Sequence, residues 1–93
     1  METPSLPWTD AQVAATAGTI RAMPHATGRI LHRIGAAYGL HAYRRAQGTQ
    51  PATLHLNGCD GAEIWTSPDQ AFTDDPVSGL SSFLRAVEAA RPA

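Results

Sequence analysis

Ile30-Leu31-His32-Arg33-Ile34-Gly35-Ala36-Ala37-Tyr38-Gly39 runs directly into Leu40-His41-Ala42-Tyr43-Arg44-Arg45, and at the junction the period of the side chains changes. In the first stretch Ile30, Leu31, Ile34, Ala37 and Tyr38 return at three- and four-residue intervals, the spacing of one stripe on a helix. In the second the side chains alternate, as they do along a strand. Gly39 stands where a helix ends, a position that favours glycine because it must turn left-handed. A helix handing over to alternating sequence in this way predicts an α+β chain.

Downstream, Ala52-Thr53-Leu54-His55-Leu56-Asn57 alternates again after the connection Ala46-Gln47-Gly48-Thr49-Gln50-Pro51. Gly58-Cys59-Asp60-Gly61 is a turn signal ahead of Ala62-Glu63-Ile64-Trp65-Thr66. These segments predict a three-stranded antiparallel meander with Leu54, Leu56 and Ile64 on its buried face. His41, Tyr43, Arg45, His55 and Trp65 are expected on the opposite face. Residues 67–75 read as an acidic loop with one turn around Phe72, and Asp75-Pro76 then opens a last helix striped by Val77, Leu80, Phe83, Leu84 and Val87.

Upstream, Thr9 and Gln12 have the spacing of a capping box, with Trp8 and Val13 at the positions of a hydrophobic staple. That helix is expected to reach about Arg21, with Val13, Ala17 and Ile20 inward. Met23-Pro24 breaks it, because the residue before proline is pushed out of the helical region, and Pro24 starts the second helix. Gly28 and Gly35 weaken this second helix by up to ~1 kcal/mol each relative to alanine. The predicted order is helix, helix, three-stranded meander, helix, in one domain spanning residues 1–93. Residues 1–7 and 91–93 are expected to be flexible.

Charge is segregated along the chain. From Ala11 to Cys59 there are five arginines, four histidines and no acidic residue, while Asp60, Glu63, Asp69, Asp74, Asp75 and Glu88 follow that block. A net charge of −1 therefore conceals a basic middle joined to an acidic last third. All seven basic side chains are arginine, the residue suited to planar, bidentate recognition of phosphate. On the second helix His25, Arg29, His32 and Arg33 lie opposite the apolar stripe, giving it a wholly basic polar face. Such a one-signed surface attracts polyanions or acidic proteins.

The segment His25-Ala26-Thr27-Gly28-Arg29-Ile30-Leu31-His32-Arg33 up to Gly39-Leu40, followed by a hairpin after Arg44-Arg45, resembles the winged helix-turn-helix over residues 24–56. That resemblance implies a helix in the DNA major groove with Thr27, Arg29 and Arg33 toward the duplex, and a wing carrying Arg44 and Arg45. Double-stranded DNA is thus the first expected partner. An acidic protein surface docking on the same basic face is the alternative. A second nucleic-acid reading uses Tyr43, His55 and Trp65 as a stacking platform for single strands, with Arg45 on the phosphate; the alternative, which the apolar stripe of the last helix favours, is that this helix covers the face and Trp65 is core.

Other classes are not expected. His41, His55, Cys59 and Asp60 are metal-capable types, but their spacing matches no paired zinc pattern. Asp60, Asp69, Asp74 and Asp75 lack the alternation of a calcium loop. No phosphate-loop or nucleophile motif is present, so no enzymatic activity and no cofactor are predicted. The lone Cys59 excludes an internal disulfide and fits a reducing compartment. With neither a leader-like N-terminus nor an apolar run of ~20 residues, a cytoplasmic protein without membrane contact is expected. Large apolar anchors are sparse for 93 residues, which makes a homodimer a further expectation.

Overall fold

The structure is a computed structural model that describes residues 4–90. Its elements follow the order α1 (Asp10–Ala22), a 3-10 turn (Pro24–Ala26), α2 (Thr27–Ala37), β1 (His41–Arg45), β2 (Thr53–Asn57), β3 (Glu63–Pro68), α3 (Asp69–Asp74) and α4 (Pro76–Ala90). The strands form one antiparallel sheet in the order β1-β2-β3. This is the α+β layout of helices, meander and helix expected from the change of period.

The helix ends are made by the residues that signal them. Thr9 accepts from the Gln12 backbone N–H at 3.1 Å and its own N–H donates to the Gln12 side chain at 2.7 Å, closing the capping box of α1. α2 stops in a Schellman arrangement: Gly39 has φ +77°, its N–H donates to the Ala36 carbonyl, and the Leu40 N–H reaches back to Gly35. Asp75 accepts from the Ser78 N–H at 3.3 Å and caps α4, whose first residue is Pro76. The start of α2 differs from expectation, since Pro24 opens a separate 3-10 turn and the α-helix begins only at Thr27.

The core lies between one face of the sheet and the helices. Ala42, Leu54 and Leu56 meet Leu31 of α2, Ile20 of α1, Phe72 of α3, and Leu80 and Phe83 of α4. α1 and α4 pack against each other, and Val77, expected in the apolar stripe of α4, is exposed. Leu6 packs against this core and the Pro4 carbonyl accepts from the Tyr38 hydroxyl. These contacts fall within residues 4–7 of the N-terminal segment. The rest of it (residues 1–3), together with residues 91–93, lies outside the described residues.

β3 departs from simple alternation. Trp65 pairs with Leu56 but Glu63 pairs with Asn57, so Ile64 is the extra residue of a bulge. Ile64 is consequently exposed, and Trp65 turns to the buried face, the reverse of the expected assignment. The indole stands edge-on to Phe83 at 5.2 Å and to Phe72 at 6.1 Å, and its N–H donates to Ser82 at 3.0 Å. The segment read as an acidic loop holds α3, which carries the fully buried Phe72.

Gly79 of α4 lies against that ring. A Cβ there would be 2.6 Å from a Phe72 ring carbon, whereas a Cβ at Gly18 of α1 would meet nothing within 4 Å. The same substitution should therefore change stability in opposite directions at the two sites. Gly18→Ala is expected to add about 0.5–1 kcal/mol through helix propensity. Gly79→Ala is expected to lose about 1–3 kcal/mol by overpacking, a net loss despite the same propensity gain. Urea unfolding of both variants measures the difference.

Candidate functional site

α2 lies close along β1. A Cβ at Gly28 would fall 2.9 Å from the Arg44 Cβ, and one at Gly35 would fall 3.2 Å from the Ala42 Cβ. The glycines read as weak points of the helix are thus where its backbone approaches the strand. Thr27 closes the turn that leads into α2: it is fully buried and its hydroxyl donates to the Pro24 carbonyl at 2.7 Å. Thr27 is therefore removed from the expected contact set, because a side chain sealed beneath the helix cannot reach a duplex.

His32 makes the second tie, between its Nδ1 and the Ala42 carbonyl at 3.0 Å. A carbonyl only accepts, so Nδ1 carries a proton and Nε2 is the nitrogen left for a ligand. In a strand, alternate residues point their backbone groups to the same edge. The Arg44 N–H and C=O accordingly face the edge that Ala42 presents to α2.

Between the outer side of α2 and this edge runs a groove of about 490 Å³. Arg29, His32 and Arg33 line it from the helix, His25 from the preceding turn, and Arg44 from the strand. Five of the seven residues singled out in the sequence meet there. Gly28, Ala42 and Tyr43 complete the lining. The first two were missed because small residues carry no charge signal, although two glycines seven apart on one helix face mark a close backbone approach.

Arg44 has a partner, since its Nε donates to Asp69 Oδ2 at 3.2 Å. Arg29 and Arg33 are exposed and take part in no ion pair among the described residues. Arg45 is separated from the group. Consecutive strand residues point to opposite faces, and Arg45 lines a different recess of about 220 Å³ with Gln47, Gln50 and Thr53.

The outer sheet face is organised differently from a stacking platform. Tyr43 stacks on His41 at 5.2 Å and on His55 at 5.0 Å, so its flanks are occupied by its neighbours. His55 is held at both nitrogens, donating from Nδ1 to Glu63 and bonded through Nε2 to the Thr53 hydroxyl at 2.7 Å. With Trp65 turned into the core, Tyr43, His55 and Trp65 do not share one open surface.

The acidic side chains have local tasks. Asp60 accepts from the Ala62 N–H at 3.0 Å within the hairpin turn, and Asp74 accepts from the Gln70 amide at 2.7 Å. Among the described residues no three His, Cys, Asp or Glu side chains gather into a metal-holding group. Nor is any described helix long and apolar enough to cross a membrane. Comparison with protein-family models, with curated proteins and with solved structures finds no match, and the functional reading rests on the groove and its residues.

Proposed function

We propose that the protein binds double-stranded DNA through the outward face of α2 and the basic rim beside it, acting as a small regulator. The observation that carries this reading is the convergence of Arg29, Arg33 and Arg44 on one groove, with Arg29 and Arg33 unpaired among the described residues. Four residues apart on a helix, these two guanidinium groups sit about one turn from each other and project together. His25 and His32 extend the same surface. Arg45 and the β1–β2 loop are separate from it and reach the duplex only as a flanking backbone contact.

The binding energy of one copy is limited by its few phosphate contacts. Sequence-specific regulation on this reading uses two copies on half-sites about one DNA turn apart. Three arginines on phosphate give a slope of log affinity against log salt of about −2.7, and hence about a 40-fold loss between 50 and 200 mM salt. Fluorescence anisotropy with a labelled duplex measures this slope. The double variant Arg29→Ala/Arg33→Ala is expected to flatten it to about −1. No binding at about 50 mM salt overturns the DNA reading and leaves the acidic protein surface as partner class.

Asp69 supplies an independent check, because it competes for Arg44. Asp69→Asn is expected to raise duplex affinity at low salt by about twofold to fivefold, the scale of one exposed ion pair. The same anisotropy titration reads that gain, and the double variant combined with Asp69→Asn should retain it.

A further inference from the structure

We infer that the groove between α2 and β1 is a binding site for a nucleoside phosphate. This goes beyond the duplex reading, although both use Arg29 and Arg33: a duplex lies across the crest of α2, whereas the groove is a recess beside it. Its volume of about 490 Å³ falls among small-molecule pockets and exceeds what a bare phosphate occupies.

The walls suit the two halves of such a ligand. Arg29 and Arg33 come from the helix and Arg44 from the strand, so arginines line two sides; Arg44 gives its Nε to Asp69 and keeps its terminal N–H groups for an anion. That arrangement allows bidentate contacts to different phosphate oxygens. The lining between them is largely apolar, with Gly28 and Tyr43 half-buried and Ala42 fully buried beneath. Gly28 must remain bare because a side chain there would strike the Arg44 stem at 2.9 Å. An apolar lining beside an anion site accommodates a base. The paired bases of a duplex cannot be lowered onto it, and a mononucleotide can. His32 adds a directed polar group, since its Nδ1 is committed to the Ala42 carbonyl and Nε2 remains for the base or sugar.

The test is an NMR titration of the full chain with adenosine 5′-monophosphate, alongside adenosine and inorganic phosphate as separate probes. The nucleotide is expected to shift the Gly28, Arg29, Ala42 and Arg44 amides saturably, with Kd below about 1 mM. Adenosine and phosphate alone should each bind about tenfold more weakly, because each meets only one half of the site. Arg44→Met, which keeps the stem of an exposed side chain, should weaken the nucleotide about fivefold or more. Arg33→Met provides the same test on the helix side. Equal binding of phosphate and nucleotide, or shifts that miss the groove, overturns the inference. Nucleotide binding without duplex binding sinks only the DNA reading; duplex binding without nucleotide binding sinks only this one.

Discussion

The close approach of α2 to β1 is the constraint on which the rest of the molecule depends. Gly28 and Gly35 let the helix backbone come within contact of Arg44 and Ala42, and His32 is bonded to the strand edge at Ala42. A glycine inside a helix costs up to ~1 kcal/mol relative to alanine. That cost is offset by what the contact achieves. β1 is an edge strand, and an uncovered edge is a template for unwanted pairing; α2 covers much of it. The same contact carries Leu31 into the core and brings the residues that line the groove side by side. Stability and the candidate site therefore share one packing interface.

Much of this fold was legible because its signals are local. The Thr9–Gln12 box, the Gly39 stop and the Asp75-Pro76 start each act within a few residues, and the meander follows from turn glycines and alternation. What escaped depends on partners distant in sequence. Alternation alone sends Ile64 inward, and only the bulge opposite Asn57 exchanges it with Trp65. Phe72 lies in a polar stretch too short to show a helical period, and its burial under Trp65 and Gly79 is a tertiary fact. At the site, helical spacing grouped His25, Arg29, His32 and Arg33. It misplaced Thr27, whose short side chain at the helix start reads equally well as a surface contact or a buried tie.

The segregation of charge acquires a structural meaning. The carboxylates of the last third are mostly employed close to home: Asp60 in a turn, Asp75 at a helix cap, Asp74 on Gln70, Glu63 on His55. Among the described residues only Asp69 reaches across to the basic groove, where it takes Arg44. Adjacent in sequence, Arg44 and Arg45 end on opposite faces of the sheet, so the basic block divides into a three-arginine groove and a separate edge.

α2 is tied to other elements at its middle and its end. Thr27 is bonded to Pro24 at its start, His32 to Ala42 at its middle, and at its end Tyr38 accepts from the Trp8 indole at 2.8 Å while donating to Pro4. The His32 and Tyr38 bonds join the helix to β1 and to the N-terminal segment, and helix geometry itself sets the spacing of Arg29 and Arg33. The separations between its arginine stems behave as a ruler set during folding, and only the side-chain torsions remain to adapt. Association then involves little backbone rearrangement, and discrimination falls on the distances between anionic groups in the guest.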